Sequence, residues 1–239
     1  MRILYQLTSP MHRTMGQAEI DRRRAVLVNA AAPGTEVLVE PIEQGPATIE
    51  GPADAALVVP ELLRLAPTWL SRDIDAVIIG CFSDPGLDAL RMGPTPALIG
   101  PGAAAMHLAA QFGSRFSILA PTGRGQGRVL ARLRGLGLAE LFASVHGVGC
   151  TVMEMAQQQP DAFTRIVAAG KRCVEQDGAD IIVLGCMSMA FLPGVAQRLQ
   201  DELGCPVINP VLAALKTAEM AASLKIGQRW NGGPKLALP

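Results

Sequence analysis

Two stretches of the chain repeat one pattern: "DAVIIGCFSDPGL" (Asp75–Leu87) and "DIIVLGCMSMAFL" (Asp180–Leu192). Each begins with Asp, continues with four aliphatic residues and then reads Gly-Cys, and a Leu follows six residues after the Cys. A short aliphatic run bounded by turn residues is typical of a strand that is buried on both faces of a parallel sheet. The pattern therefore predicts the same buried strand twice, with Cys81 or Cys186 at its carboxyl end.

The duplication extends beyond these two strands. "RILYQLTS" (Arg2–Ser9) is similar to "RFSILAPT" (Arg115–Thr122), and both begin with a basic residue that leads into an apolar run. Because all the pairs occur in the same order, the chain is predicted to contain two copies of one unit. The remaining pairs are Thr35–Glu40 with Phe142–Val148, and Thr95–Pro101 with Cys205–Pro210.

Helical patterns separate the predicted strands. One helix is bounded by Pro101 and Gly113 and another by Pro210 and Gly227, since Pro suits the first helical position and Gly the residue past the last. Strands that alternate with helices predict right-handed βαβ units and a parallel sheet in each copy. The other predicted helices are Met15–Asn29, Ala53–Leu65, Arg124–Leu138 and Asp161–Gln176.

These elements predict an α/β fold of two pseudo-symmetric lobes. Each lobe is a short parallel sheet flanked by helices, and the active site is expected between the lobes. We predict that residues 1–97 form lobe 1 and residues 98–205 form lobe 2, with the C-terminal segment, residues 206–239, packing back on lobe 1. Ligands of open parallel sheets bind just outside the carboxyl ends of the strands, which is where both repeated cysteines are expected.

Composition and charge favour a small molecule as the partner. The 239 residues include 21 basic and 21 acidic side chains, a balance that gives no attraction for nucleic acid or an anionic membrane. The start, "MRILYQLTSP", lacks the apolar core of a signal peptide, and the uncharged stretches contain Pro and Gly, so a cytoplasmic protein without a membrane span is expected. The five cysteines form no CxxC pair and no zinc-type spacing, which predicts free thiols and no metal site.

Cys81 and Cys186 are candidate catalytic residues because each is expected at a strand-to-helix turn. Residues Ser83–Pro85 could cap and begin a helix after Cys81, and Ser188 could cap one after Cys186. A thiol near a helix N-terminus forms its thiolate more readily. A thiolate on one face of a carbon and a thiol on the other can remove and return a proton, which inversion of that carbon requires.

The alternative for each cysteine is an inert core role, since cysteine is among the most buried residue types. The matched positions of Cys81 and Cys186 in both copies weigh against that alternative. Cys173 lies on an apolar helical stripe and Cys205 precedes a strand, so both are predicted to be structural. Cys150 has no counterpart in the other copy and is predicted to be a core or loop thiol.

Four segments around these features resemble one protein family: "CFSDPGLDALR", "GPGAAAMHLAAQFGSRFSIL", "DGADIIVLGCMSM" and "GCPVINPVLAALKTAE". Together and in this order they resemble the aspartate/glutamate/hydantoin racemase superfamily, and most of all its hydantoin and allantoin racemase branch. The resemblance implies a cofactor-independent racemase with a substrate held between the lobes and a two-base pair at Cys81 and Cys186. It also implies a homo-oligomer.

The substrate-recognition loops differ from the usual pattern of that branch. An Asn-Pro-Asn-Thr/Ser run is replaced by "YQLTSPMH", a Thr-Thr pair by Ala120-Pro121, a Glu by Ala103, and a Gly two residues past the second cysteine by Ser188. The resemblance therefore predicts the chemistry better than the substrate. The predicted substrate-binding residues are Gln6, Thr8, Phe82, Ser83, Pro121, Thr122, Met187 and Ser188.

Other functions remain open at this point. The same superfamily includes maleate cis–trans isomerase, which uses paired cysteines, and arylmalonate decarboxylase, which needs one. A two-lobed binding protein with inert thiols is the non-enzymatic alternative. The Gly-rich Thr122–Arg128 could hold an anion through backbone N–H groups, and His12 could contact a substrate. His107 lies inside a predicted helix and His146 in a strand-like run without a carboxylate pattern, so neither is predicted to be catalytic.

Overall fold

The structure is a computed structural model that describes residues 1–123 and 125–227. The chain divides into two compact units. The first unit is Met1–Pro101 together with the chain from Ala214, and the second unit is Gly102–Ala213. Arg124, at the start of one predicted helix, and residues 228–239, at the end of the predicted returning segment, lie outside the described residues.

The first unit is built around a parallel sheet. Its strands are β1 (Arg2–Gln6), β2 (Glu36–Glu40), β3 (Ala76–Ile79) and β4 (Ala97–Ile99). Among the described residues they form a four-stranded sheet in the order β2-β1-β3-β4, with every neighbouring pair parallel. The helices between them are α1 (Met11–Thr14), α2 (Gln17–Ala30), α3 (Pro52–Leu57), α4 (Val59–Ser71) and α5 (Leu87–Leu90).

The second unit repeats this arrangement. Its strands are β5 (Phe116–Ala120), β6 (Phe142–Gly147), β7 (Ile181–Leu184) and β8 (Val207–Ile208). In the part of the chain that is described they form a four-stranded parallel sheet in the order β6-β5-β7-β8. Since this order matches that of the first unit strand for strand, the predicted α/β fold with a duplicated unit is confirmed.

The remaining helices connect and flank these strands. They are α6 (Pro101–Phe112), α7 (Gln126–Gly135), α8 (Val152–Ala156), α9 (Ala162–Glu175), α10 (Met187–Ala190), α11 (Val195–Leu203) and α12 (Pro210–Ser223), with a 3-10 turn at Ala139–Leu141. Helix α12 runs across the boundary between the two units.

Aliphatic runs place the repeated strands at the centre of each sheet. Every residue of β3 and of β7 is buried, because helices cover both faces of a parallel sheet. In the first unit, α4 contributes the largest core side chain, the fully buried Trp69. The core packed around it consists of Leu4, Ile42, Val58, Leu62, Ala66, Ile74, Val77, Ile79, Leu87, Leu90 and Leu98.

Two helices differ from their predicted bounds. The predicted helix Ala53–Leu65 is broken at Val58, because Pro60 has no N–H to donate to the carbonyl of the preceding turn. The last helix ends at Ser223 and not next to Gly227. Lys225 adopts the left-handed conformation that ends it, and the Ile226 N–H donates to the carbonyl of Ala221 at 2.9 Å.

The division between the units also differs from the predicted boundaries by a few residues. Strand β8 pairs with β7, and the Ile182 N–H donates to the carbonyl of Pro206 at 3.0 Å. The second unit therefore extends beyond residue 205, because pairing with a buried strand keeps this segment in the second sheet.

Within the described residues, no helix is both long enough and apolar enough to cross a membrane.

Candidate active site

An aspartate fixes the start of each repeated strand. In the first unit, the Asp75 carboxylate accepts a hydrogen bond from the Arg2 N–H at 2.7 Å. In the second unit, the Asp180 carboxylate accepts from the N–H groups of Ser114 and Arg115, at 2.8 and 2.9 Å. The repeated Asp therefore ties the amino end of the central strand to the strand beside it, which sets the register of both sheets.

A glycine ends each repeated strand because there is no room for a side chain. The Gly80 N–H donates to the carbonyl of Gln6 at 2.8 Å, and the Gly185 N–H donates to the carbonyl of Leu119 at 2.6 Å. A Cβ at Gly80 would lie 2.8 Å from the Gln6 oxygen, and one at Gly185 would lie 2.7 Å from the Leu119 oxygen. These carbonyls belong to β-strand backbone, so they cannot move aside as a flexible side chain could.

In each unit the residue after this glycine is a cysteine. It therefore lies at the carboxyl edge of the sheet, which is the edge at which the parallel strands end. Cys81 is half-buried, and its Sγ lies 3.2 Å from the hydroxyl oxygen of Ser83. The predicted helix start at Ser83–Pro85 is wrong, because α5 begins later with Gly86 as its N-cap. Asp84 has a positive φ of 51°, so this segment is a turn and not the first turn of a helix.

Cys186 stands at a different kind of turn. It is itself the N-cap of α10, in extended conformation, and its side chain is 5% exposed. The expectation that Ser188 caps this helix is wrong, because Met187 and Ser188 already lie inside α10 and both are buried. The first-turn N–H groups of α10 are directed toward its N-terminal end, where Cys186 lies.

The other predicted binding residues of the first unit lie close to Cys81 along the carboxyl edge. Gln6 ends β1, and its side-chain amide donates to the carbonyl of Glu40 at 2.9 Å. The Thr8 hydroxyl lies 3.5 Å from the carbonyl of Gly80. Both residues are buried. The Gln6 side chain therefore ties the end of β1 to β2, whereas the Thr8 side chain holds the loop after β1 against the residue that precedes Cys81. Phe82 follows Cys81 and is half-buried.

In the second unit, Pro121 and Thr122 follow β5 at the corresponding place. The carbonyl of Pro121 accepts from the N–H groups of Gly149 and Cys150, at 3.0 and 3.2 Å. This pairing brings the segment after β6 to the same edge of the sheet. Cys150 is buried there, and an Arg165 side-chain nitrogen lies 3.6 Å from its sulfur.

Two further residues lie at these edges, although the sequence predicted neither of them to be catalytic. Cys150 was expected to be a core or loop thiol, and only "GVGC", with Gly149 at a positive φ of 76°, signalled a turn after β6. His12 lies in α1, with Nε2 3.7 Å from a Glu43 oxygen. Its Nδ1 is buried and has no hydrogen-bond partner among the described residues.

Ordinary structural contacts hold other polar candidates. His146 on β6 pairs with Asp177 at 2.6 Å, and Asp177 also has its pKa lowered, chiefly by the hydrogen bond from Ser144 and then by the one from His146. The ring of His107 contacts the carbonyl of Ala103 one turn earlier in α6. Across residues 1–123 and 125–227, no group of three or more His, Cys, Asp and Glu residues is placed to hold a metal ion.

The five cysteines, all of which lie in the described residues, are free thiols. We expect iodoacetamide at pH 8 to modify half-buried Cys81 and to leave Cys173 unmodified. Cys173 is fully buried, and burial raises its pKa to about 11, so it stays a protonated, unreactive thiol. Peptide mass spectrometry after timed alkylation measures this. In denaturant the two should react alike, whereas equal rates in the folded protein would contradict the burial of Cys173.

Comparison with known proteins connects this geometry to a family. The model of the family Asp/Glu/Hydantoin racemase matches residues 21–218. The hydantoin racemase of Paenarthrobacter aurescens is 35% identical over 194 residues, which cover 81% of this chain and 81% of that protein. The hydantoin racemase of Pseudomonas sp. (strain NS671) is 29% identical over 196 residues, covering 82% of this chain and 78% of the relative.

A solved structure supports the same connection over the whole chain. Allantoin racemase from Klebsiella pneumoniae superimposes with a TM-score of 0.86 and 31% sequence identity, covering 100% of this chain and 96% of that one. Fold, sequence and family match thus agree over most of the length. The chain belongs to the Asp/Glu/hydantoin racemase family, and it is an isomerase of the racemase type.

Proposed function

We propose that the protein inverts a carbon next to a carbonyl in a hydantoin-type substrate, by proton transfer between Cys81 and Cys186 and without a cofactor. The observation that carries this proposal is the repeated Gly-Cys pair. In both units the same glycine ends the same central strand, and the same next residue is a cysteine at the carboxyl edge. Two independent core thiols have no physical reason to share this position.

In the proposed step, the thiolate of one cysteine removes the proton from C5 of the ring and becomes a thiol. The electron pair of the C–H bond moves into the adjacent carbonyl and forms an enolate. The thiol of the other cysteine then gives its proton to the opposite face of the carbon and becomes the thiolate. One proton is taken up and one is delivered, so the two cysteines exchange protonation states. This form of the site acts on the opposite enantiomer, and proton exchange with water restores the starting form.

The groups around the two sulfur atoms support a thiolate form of each cysteine. The Ser83 hydroxyl, at 3.2 Å, can donate to the thiolate form of Cys81. Cys186 is the N-cap of α10, where the partial positive charge of the first-turn N–H groups favours an anion. The backbone N–H groups around Phe82–Ser83 and Met187–Ser188 are the proposed donors to the enolate oxygen. Which cysteine acts as base then depends on the enantiomer bound.

The names of the relatives support the substrate class. The relatives described above are hydantoin and allantoin racemases, and allantoin is itself a substituted hydantoin. The C5–H of such a ring is acidified by the neighbouring carbonyl, and donors to the enolate oxygen lower the remaining barrier to proton removal by a thiolate. The altered loop residues, among them Gln6, Thr8, Pro121 and Thr122, are proposed to select the substituent on the ring.

A homo-oligomer and a cytoplasmic location remain predictions. Sedimentation equilibrium tests whether the protein is a homo-oligomer.

Proton NMR in heavy water tests the proposed substrate class. Single enantiomers of 5-substituted hydantoins, allantoin, free amino acids and maleate are each incubated with the protein. We expect the C5–H signal of one or more hydantoins to disappear while the optical rotation decays to zero. The same substrates without protein correct for spontaneous exchange.

The other outcomes of this experiment identify the alternatives. Exchange of amino-acid α-protons alone would mean that the substrates are free amino acids and not hydantoins. Conversion of maleate to fumarate would show a cis–trans isomerase. No reaction with any hydantoin or allantoin, from protein shown to be folded, would contradict the proposal.

A further inference from the structure

The two units differ in the residue that precedes the helix after their last strand. In each unit one residue separates the last strand from a helix that begins with proline. This residue is Gly100 between β4 and α6, and Asn209 between β8 and α12. Because the two sheets have the same strand order, Gly100 and Asn209 hold corresponding positions, and one of them has no side chain.

In the second unit, the Asn209 side chain connects the turn after Cys186 to the start of α12. Its Oδ1 accepts hydrogen bonds from the N–H groups of Val211 and Leu212, at 2.9 and 3.3 Å, which caps the helix. Its Nδ2 donates to the carbonyl of Ala190 at 2.8 Å. The Ala190 N–H in turn donates to the carbonyl of Cys186 at 2.9 Å.

In the first unit, the Asp84 side chain lies where a side chain at Gly100 would begin. A Cβ at Gly100 would overlap the carboxylate of Asp84, which is a half-buried residue. The connecting side chain therefore comes from the opposite direction in this unit. It belongs to the turn after Cys81 and reaches the residue before the helix.

The backbone of Asp84 is bonded to the cysteine itself. The Asp84 N–H donates to the carbonyl of Cys81 at 3.1 Å, and the Asp84 carbonyl accepts from the N–H of Leu87 at 3.3 Å. Its φ of 51° is in the left-handed region, which Asp and Asn adopt more readily than most other residues with a side chain. Fixing Asp84 against Gly100 therefore fixes the turn on which Cys81 lies.

We propose that Asp84 is the positioning residue of Cys81 and does not position Cys186. The proposal rests on the proposed two-base function, in which each cysteine acts on one face of the substrate carbon. The residue at the matching place after Cys186 is Met189, inside α10, so the second unit uses that helix and Asn209 instead. Since unlike residues hold the two cysteines, a change at Asp84 should impair one of them alone.

Deuterium exchange in proteins that keep one of the two cysteines tests this. In Cys186→Ser, where Cys81 is the remaining base, adding Asp84→Gly should slow exchange of the reactive enantiomer about 10²-fold, the effect of a displacement of about 1 Å. Glycine allows the left-handed conformation, so the loss comes from the missing side chain. In Cys81→Ser, adding Asp84→Gly should leave exchange of the opposite enantiomer within about twofold.

Three further variants in the Cys186→Ser protein separate position from other causes. Gly100→Ala pushes the carboxylate away while Asp84 is kept, and it should slow exchange as Asp84→Gly does. Asp84→Asn keeps the shape and the tolerance for a positive φ, so it should retain most of the exchange. The matched control is Asp73→Gly. Asp73 also has a left-handed φ, of 52°, but it is exposed and precedes β3, and its loss should have no effect.

Two results would overturn the proposal. One is exchange by Cys81 that Asp84→Gly and Gly100→Ala leave unchanged, and the other is an equal loss of exchange by both cysteines. If neither Cys81→Ser nor Cys186→Ser exchanged either enantiomer, the two-base function would be wrong. Iodoacetamide then decides the role of Asp84: Asp84→Gly should speed alkylation of half-buried Cys81 severalfold, because a loosened turn exposes the sulfur, and an unchanged rate would refute that role.

Discussion

Replacing Cys81 or Cys186 by serine is expected to lower the rate of racemisation by at least about 10³-fold. Serine keeps the shape of the side chain, but its hydroxyl is far too weak an acid to supply a thiolate-like base at neutral pH. General acid–base groups contribute about 10² to 10⁴-fold each, and inversion needs both of them in every turnover. The measurement is the decay of optical rotation for each enantiomer of a hydantoin substrate.

Isotope exchange sharpens this prediction. Each single variant retains one cysteine, which can still remove the proton that faces it and return a solvent deuteron to the same face. Exchange without inversion is therefore expected for one enantiomer in Cys81→Ser and for the opposite enantiomer in Cys186→Ser. Loss of exchange for both enantiomers in both variants would mean that the cysteines do not act as separate bases.

The control is Cys205→Ser. Cys205 is buried before β8, away from the carboxyl edge, and burial raises its pKa. This variant should racemise the substrate at close to the unmodified rate. Thermal unfolding of all three variants checks that they are folded. Full activity in Cys81→Ser or Cys186→Ser would remove the two-base mechanism.

Replacing Gly80 or Gly185 by alanine is expected to impair both activity and stability. The added Cβ would meet the carbonyl oxygen of the neighbouring strand at 2.8 or 2.7 Å, so the strand end must shift. Overpacking of this kind costs about 1–3 kcal/mol of unfolding free energy. Because the next residue is the cysteine, a displacement of about 1 Å should also lower kcat about 10²-fold.

The chain offers matched controls for this experiment. Gly93 in the first unit and Gly127 in the second unit have open space where a Cβ would be, and neither has a positive φ. Gly93→Ala and Gly127→Ala should therefore leave both the melting temperature and kcat nearly unchanged. If Gly80→Ala and Gly185→Ala behaved like these controls, the close approach of the strands would not be what positions the cysteines.

Much of the fold follows from local pattern. Aliphatic runs identify the central strands, because a strand buried on both faces must be apolar at every position, as β3 and β7 are. The edge strand β2 instead alternates buried and more exposed residues. The two copies are visible because the same core is built twice. Where the pattern fails, the cause is backbone chemistry: Pro60 breaks a helix that apolar periodicity predicts as continuous, and Lys225 ends one where Gly227 was expected.

The site divides in the same way. The sequence by itself determined that a Gly-Cys pair ends a buried strand in each unit, since those residues are neighbours and repeat. The need for glycine follows only from the tertiary structure, because the Gln6 carbonyl that a Cβ at Gly80 would meet belongs to a different strand. The tertiary structure also decided that the Arg165 side chain lies beside the sulfur of Cys150. These are contacts between segments far apart in the chain, and local periodicity carries no information about which distant backbone comes near.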